Sequence, residues 1–323
     1  MTPEDSLRLR LNAIRYEAEN INAYEFVASD GAALPPFTAG AHIEIDVGNG
    51  MTRCYSLSNA PSDRKRYVIV VAMDAKGKGG SKYFHEHAQV GKIYRVHPPR
   101  NNFALAERDG KSVLIAGGIG VTPIWSMAQH LERAGKPWGV YYRARGRQYA
   151  ALLGDPFYAI HQDKIEVVYD DDLARQGIGM AEYIPGVVAR EGEGCHYYCC
   201  GPAGMLDNFK QATAHLPPDA VHLEHFGAVA EKAHAGGFDV ILAKCGITVK
   251  VQTGKTILDT LLDNGIEVVN SCREGVCGAC EVRVLDGTPD HRDAILSDAE
   301  KAAGKTIFVC CSGSLSPSLT LDL

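Results

Sequence analysis

The chain has 323 residues, with 33 Lys and Arg against 39 Asp and Glu, a formal charge of −6, and 46% hydrophobic residues. That length exceeds one ordinary domain, and the composition is that of a globular protein able to bury several cores. The acidic balance without a basic tract argues against a nucleic-acid partner. No stretch approaches the roughly 18 apolar residues of a membrane span. The charged N-terminus MTPEDSLRLRLNAIR has no signal h-region, so a cytoplasmic protein outside the membrane is expected.

From Leu7 to about Val96 the pattern has mostly period two: LRLRLNAI, YEFVAS, HIEIDV, RCYSLS and RYVIVVAM, separated by turn residues. Gly48-Asn49-Gly50 between two of these runs is a hairpin signal, and five or six short antiparallel strands predict a small barrel. On the strand holding Arg53-Cys54-Tyr55-Ser56, Arg53 and Tyr55 share one face and Ser56 points the other way. An arginine, a ring and a hydroxyl gathered there suit a flat anionic cofactor; alone, the tetrapeptide equally suits an exposed arginine beside a half-buried tyrosine. Lys76 to Phe84 runs from a glycine-rich loop into a helical pattern, and free amides near Gly80 and Ser81 suit a phosphate, although Gly-Gly-Ser is also an ordinary loop.

With Pro99-Arg100-Asn101-Asn102-Phe103 following, these segments resemble the flavin domain of the ferredoxin reductase superfamily. The resemblance implies that Arg53, Tyr55 and Ser56 hold the flavin ring and ribityl chain, and that Gly80 and Ser81 hold its phosphate. Cys54 stands where the family often has threonine.

From about residue 109 strands and helices alternate. SVLIAG leads into Gly117-Gly118-Ile119-Gly120-Val121-Thr122-Pro123 and an amphipathic stretch; WGVYYRAR, KIEVVYDD and CHYYCC read as further strands of parallel βαβ units. A glycine-rich strand-to-helix turn is where such a sheet binds pyrophosphate, although GGIGVTP is not the G-x-G-x-x-G fingerprint. It does match the superfamily's nicotinamide motif, as does Cys200-Gly201-Pro202-Ala203-Gly204-Met205. That resemblance places Gly117, Gly118, Gly120, Pro123, Cys200, Gly201, Pro202 and Met205 at the nucleotide and Thr122 between flavin and nicotinamide. It also places Phe226, within Glu224-His225-Phe226-Gly227, over the flavin face, whereas spacing alone would equally allow a core phenylalanine. Arg143, Arg145 and Arg147 crowd the corner where a 2′-phosphate would bind, and the nearest acidic residue downstream is Asp155. NADPH therefore stays open beside NADH.

Val229 to Gly237 reads as a linker. FDVILAKCGITVKVQTG predicts a hairpin, and KTILDTLLDNGI a short helix closed by Gly265. Next comes Cys272-x₄-Cys277-x₂-Cys280, with Cys310 far downstream, the plant-type ligand arrangement for a [2Fe–2S] cluster. Zinc sites usually repeat C-x₂-C or pair it with histidine, and a Rieske site needs two histidines in the motif; neither is present. Gly275 and Gly278 let amides approach the sulfurs. Reading TIFVCCSGS as a strand turns Cys310 and Cys311 to opposite faces, so only one can be a ligand, and the family's pattern makes it Cys310. Cys54, Cys195, Cys199, Cys200, Cys245 and Cys311 show no pairing pattern. The segment resembles the β-grasp fold of plant-type ferredoxins.

The order flavin barrel (1–108), α/β nucleotide domain (109–228), linker (229–237) and ferredoxin (238–323) is similar to the phthalate dioxygenase reductase family over nearly the whole chain. The multidomain fold expected is thus an antiparallel β-barrel, a parallel-sheet α/β domain and an α+β β-grasp domain. The resemblance implies FMN, NADH and a [2Fe–2S] cluster, with hydride arriving at the flavin and electrons leaving singly through the cluster. It implies a terminal Rieske-type oxygenase component as partner of a chain that is monomeric on its own. Supply of a cytochrome P450 or other haem acceptor is the alternative, and a redox-sensing module the reading from another class. The rim of the cluster loop, Arg273, Glu274 and Val276, is the expected docking surface, because exposed atoms nearest the iron shorten the transfer path.

Overall fold

The structure is a computed structural model, described here for residues 6–75, 77, 79–106, 108–175, 177, 179–226 and 231–323. The chain divides into two compact units, Met1–Glu224 and His225–Leu323.

The first unit begins with strands β1 (Leu7–Ala18), β2 (Ile21–Ala28), β3 (His42–Gly48), β4 (Met51–Ser56) and β5 (Tyr67–Ala72), helix α1 (Gly80–His87) and strand β6 (Ile93–Val96). They form a six-stranded sheet in the order β4-β3-β6-β1-β2-β5, and a bridge from Leu57 to Ile69 brings its two ends together as a barrel. Period-two alternation drives this: Ile43, Ile45 and Val47 of β3 enter the same core as Leu9, Leu11, Tyr24 and Phe26. The β3–β4 hairpin turns on three consecutive positive-φ residues, Gly48, Asn49 and Gly50.

The same unit continues with β7 (Ser112–Gly117), α2 (Val121–Arg133), β8 (Trp138–Ala144), α3 (Pro156–Ile160), β9 (Ile165–Tyr169), α4 (Asp170–Arg175), α5 (Met180–Glu191), β10 (His196–Gly201), α6 (Ala203–Ala212) and β11 (Val221–His225), whose last residue crosses into the second unit. The sheet order is β11-β10-β7-β8-β9, with β10–β7, β7–β8 and β8–β9 parallel. One face of this sheet packs on α2 together with Ile21, Ala23, Val68 and Val70 of the barrel, so barrel and α/β layer share a hydrophobic core. The other face packs on α5 and α6.

The second unit holds β12 (Phe238–Leu242), β13 (Ile247–Val251), α7 (Ile257–Asp263), β14 (Glu281–Asp286), β15 (Pro289–Asp290), α8 (Asp298–Ala303), β16 (Thr306–Phe308), β17 (Gly313–Ser314) and β18 (Ser318–Leu321). Its mixed sheet runs β13-β12-β18-β14-β16, with β12 and β18 parallel and α7 packed into the same core. This is the expected β-grasp layout. Thr256 caps α7 in a capping box with Asp259. Helix α8, absent from the sequence expectation, is nucleated by the equivalent box of Ser297 and Glu300. Two further expectations change. The described part of the segment expected as a linker bonds back to the second unit, through Ala233 N–H to Cys311 O and Gly254 N–H to His234 O, each 2.8 Å. Cys310 and Cys311 follow the end of β16 and lie in a turn, closed by Cys311 and Ser312 N–H groups on Phe308 O, so strand alternation does not separate their side chains.

Candidate functional site

The flavin-type cradle is built where β4 meets the start of α1. Antiparallel register sets Arg53 opposite Ile45 and Tyr55 opposite Ile43, on the core side, whereas Ser56 lies opposite His42 and is buried. A Cβ on Gly80 would lie 2.2 Å from Arg53 Nε, so the guanidinium rests directly on the helix start. Gly79 at the cap has φ +82°, the left-handed geometry glycine adopts without strain. A guanidinium beside free helical amides is a phosphate site in kind. Ser81 is turned partly inward, accepting from Asp74 N–H at 2.9 Å, and the loop lysines 76 and 78 lie outside the described residues. Tyr55 stacks on Phe84 with centroids 6.1 Å apart, and its buried hydroxyl has no hydrogen-bond partner among the described residues. Burial pushes that phenol up, so it stays a neutral donor. An orphaned buried donor beside a cation and a helix start fits a polar planar group with a phosphate tail.

The nicotinamide-type turn is fixed by backbone contact. A Cβ on Gly120 would lie 2.2 Å from Cys200 O, and one on Gly117 would lie 2.4 Å from Met205 Sδ and 2.8 Å from Pro202 Cδ. Gly201 in turn would meet Gly117 Cα at 3.2 Å. Gly118 needs left-handed φ (+54°). The two motifs are therefore one interlocked surface across β7 and β10. Thr122 and Pro123 are buried in the first turn of α2, with the Thr122 hydroxyl donating to Ile119 O at 3.0 Å. The same helix is tied to the segment after β4: Ser126 donates to Asn59 O (2.9 Å) and Gln129 to Ser58 O (2.8 Å). Cradle and turn thus keep a common frame.

Behind the turn, buried Cys200 donates to Glu224 Oε2 at 3.8 Å. Loss of solvent pushes the half-buried Glu224 carboxyl up to about 8, partly opposed by that bond. Sequence reasoning gave Glu224 no role; its position in the carboxyl-edge segment was the available signal. Phe226, directly after β11, is 44% exposed and so is not a core phenylalanine; Gly227 lies outside the described residues.

The arginine corner differs from its sequence reading. Arg143 Nε bonds Asp170 Oδ1 at 2.6 Å, Arg147 reaches Asp172 at 3.2 Å and lies over Tyr169, and Arg145 lies over Tyr149. Asp155, the nearest acid in sequence, instead caps α3 by accepting from Phe157 N–H at 2.8 Å.

In the second unit the cluster loop bends through Arg273, Gly275 and Gly278, all at positive φ. Cys277, Cys280 and Cys310 are buried and Cys272 half-buried. Glu274 N–H donates to Cys272 Sγ at 3.3 Å, and Gly275 N–H to the Cys310 sulfur. The Cys280 and Cys311 side chains both contact the Cys310 sulfur, which lowers the Cys310 thiol and raises Cys280. Cys311 Sγ also reaches the Phe308 carbonyl at 3.6 Å. Four converging sulfurs with amide donors and no histidine among them fit a [2Fe–2S] cluster. At the rim Arg273 is exposed, whereas Glu274 and Val276 are half-buried.

Residues 241–313 match the 2Fe-2S iron-sulfur cluster binding domain model. The phenoxybenzoate dioxygenase subunit beta of Ectopseudomonas oleovorans is 47% identical, covering 98% of this chain and 97% of that protein. The tetrachlorobenzoquinone reductase of Sphingobium chlorophenolicum is 44% identical over 99% of both. Among solved structures, phthalate dioxygenase reductase aligns over 100% of both chains at 35% identity and TM-score 0.74. An intact type IV self-sufficient cytochrome P450 monooxygenase aligns at 37% identity and TM-score 0.87 over 98% of this chain and 41% of that one. With cradle, interlocked glycine turns and four-cysteine loop in that order over its full length, the chain belongs to the phthalate dioxygenase reductase family and is an electron-transfer oxidoreductase of oxygenase systems.

Proposed function

We propose that the protein takes hydride from NADH onto FMN and delivers single electrons through a [2Fe–2S] cluster to a Rieske-type oxygenase. The observation that carries this reading is the common frame of the first unit: Ser126 and Gln129 bind the helix of the nicotinamide turn to the segment that follows Arg53, Tyr55 and Ser56. Hydride transfer needs donor and acceptor held in contact, and a rigid frame supplies that alignment.

Arg53, Tyr55 and Ser56 would hold the ring and ribityl chain and Gly80 and Ser81 the FMN phosphate, with the Arg53 guanidinium close enough to Gly80 to reach that phosphate as well. Thr122 would reach the flavin and the nicotinamide, and Phe226 would cover the flavin face. Gly117, Gly118, Gly120, Pro123, Gly201, Pro202 and Met205 shape the nucleotide surface, with Cys200 beside the nicotinamide. Cys272, Cys277, Cys280 and Cys310 hold the cluster. When bound, flavin accepts an electron pair as hydride and the cluster carries one electron at a time. Plant-type clusters lie near −400 mV and Rieske centres at about −150 to +300 mV, so onward transfer runs downhill. The protein acts in the cytoplasm as a monomer that docks its oxygenase through Arg273, Glu274 and Val276; no helix among the described residues is long and apolar enough to cross a membrane.

Anaerobic titration with NADH tests this: the flavin and cluster absorbance should both bleach, and a Rieske oxygenase added afterwards should be reduced. Failure of NADH to bleach the flavin sinks the reading. Delivery to a haem protein is the second reading, supported by the alignment with a self-sufficient P450. Faster reduction of a haem-thiolate acceptor than of a Rieske acceptor would favour it.

A further inference from the structure

Of the tetrapeptide Arg53-Cys54-Tyr55-Ser56, only Cys54 has no task in the reductase reading. It does not stand alone. Register in the β3–β4 hairpin pairs Glu44 with Cys54 and His42 with Ser56, so His42 and Glu44, two apart on β3, share one face of the sheet with Cys54. Ile43 and Ile45 alternate with them and enter the barrel core, which turns the trio to the opposite face. One ring nitrogen of His42, one carboxylate oxygen of Glu44 and Cys54 Sγ all lie within 4.8 Å of one another.

A sheet face directed away from the core is ordinarily wet, yet His42 is only 5% exposed and Glu44 4%. The chain that leaves β6 returns over them. His97 N–H donates to Glu44 O at 2.9 Å, and His42 and Arg100 exchange backbone bonds of 2.8 and 3.0 Å. Arg100 Nη1 also donates to one carboxylate oxygen of Glu44 at 3.2 Å. A carboxylate has two oxygens, so that bond leaves coordinating capacity, and a donor from an outer residue is how ligating carboxylates are held in direction. Cys54 is half-buried, which gives an ion an entry path at the thiol.

Imidazole, carboxylate and thiolate form a borderline donor set. Hard Mg²⁺ and Ca²⁺ take oxygen ligands and Cu(I) takes soft sulfur, whereas Zn²⁺ binds all three of these groups in tetrahedral geometry. Zinc bonds of about 2.0–2.3 Å place neighbouring ligand atoms roughly 3.5 Å apart. Separations of up to 4.8 Å therefore need to close by no more than about 1.3 Å, within the reach of side-chain rotation on fixed strands.

We propose that His42, Glu44 and Cys54 bind one zinc ion, with water as the fourth ligand, and that the ion ties β3 to β4. On binding, Cys54 Sγ gives its proton to solvent and forms the zinc–sulfur bond, and nothing is oxidised or reduced. The three ligands come entirely from the first unit, and the proposal does not depend on the reductase reading. Threonine, which the family often has at the place of Cys54, would not complete the site, because its hydroxyl is a far weaker zinc ligand than a thiolate.

The test uses holoprotein with flavin and cluster in place, so that the cluster cysteines are occupied. It is dialysed against buffered free Zn²⁺ and analysed for zinc, iron and flavin. The wild type should take up one zinc per flavin. Cys54→Thr and His42→Gln should each weaken zinc binding about tenfold or more, at least the loss seen when an outer partner of a ligand is removed. Cys54→Thr changes a half-buried residue to one the family accepts, and so guards against a folding defect in His42→Gln; flavin content and Tm without zinc report on both. Cys245→Ser, which removes an exposed thiol of the second unit, should leave uptake unchanged. X-ray absorption at the zinc edge should show one sulfur at about 2.3 Å and the other ligands at about 2.0–2.2 Å. The proposal is overturned if the wild type takes up no zinc at micromolar free ion, which would make the trio a polar cluster held by Arg100. It is overturned equally if Cys54→Thr with wild-type flavin content binds zinc as tightly as the wild type, or if the edge spectrum counts two or more sulfurs. Either result would mean an adventitious ion only, held by other thiols.

Discussion

The nicotinamide turn and the cluster loop are both glycine-bearing bends that serve electron transfer, and they use glycine for different reasons. Gly120 has φ −60°, available to any residue; only space excludes a side chain there, because Cys200 O lies 2.2 Å from where a Cβ would stand. Gly275 has φ +73° and in addition faces Cys311 Sγ at 2.6 Å from its would-be Cβ. The first glycine lets two strands close into one surface against backbone that cannot move. The second lets a chain reverse so that its amide meets a sulfur, against a side chain that can be trimmed. Where geometry is enforced by backbone contact, a substitution should have no cure; where part of it is enforced by a side chain, a second substitution should help.

The largest effect expected from breaking this contrast is at the cluster. Cys310→Ser should abolish the iron–sulfur absorbance and the bound iron while leaving NADH-driven flavin reduction intact, and Cys311→Ser should retain both; loss of iron in the second variant alone would reverse the ligand assignment. Next in size, Gly120→Ala should slow flavin reduction by NADH about 100-fold and destabilise the first unit by about 1–3 kcal/mol, as expected of overpacking against an immobile neighbour. Gly275→Ala should lower cluster occupancy, and Cys311→Ala added to it should restore part of the iron by clearing the 2.6 Å contact; the remaining loss combines the left-handed φ, about 1 kcal/mol for a non-glycine residue, with the 3.1 Å approach to Asp293 Cα. If the double variant holds no more iron than the single one, backbone strain and the Asp293 contact limit the loop. Smaller again, Arg53→Gln should weaken FMN about tenfold by fluorescence titration, the scale of one charge-assisted phosphate contact, with the fold preserved.

How far each region was legible follows from how local its determinants are. The three clustered thiols and the two glycine motifs are written within a few residues of each other, and the barrel strands announce themselves by alternation. Capping of α8 by Ser297 and Glu300 was equally local and passed unnoticed within a polar run. What sequence could not convey were contacts made by topology. Sequence offered Asp155 only as the nearest acidic residue downstream of the arginines, whereas parallel pairing of β8 with β9 delivers Asp170 to Arg143 and Asp155 is spent on a helix cap. Strand alternation was the ground for allowing only one of Cys310 and Cys311 as a ligand, and both lie instead in a turn; the choice of Cys310 came from the family's pattern, and its contacts with the Gly275 amide and Cys280 support it. Cys200 and Glu224 meet only because β10 and β11 are neighbours.

That last pair gives the smallest and most selective test of the comparison, because it supports the nicotinamide turn from behind with a proton and has no counterpart expected in the cluster loop. Glu224 titrates at about 8 in the folded protein against an ordinary value of 4.5. Between those values the folded state keeps a proton that the unfolded chain has released, so this group's contribution makes stability fall as pH rises across the window, and adds no slope below it. Glu224→Gln keeps an acceptor for the Cys200 thiol and removes the titration. Its unfolding midpoint in urea, set against that of the wild type, should therefore match at pH 4.5 to 5 and gain steadily toward pH 8. Parallel profiles for the two proteins across that range would show that Glu224 is ionised in the fold, and that the turn is braced by a charge rather than by a neutral carboxylic acid.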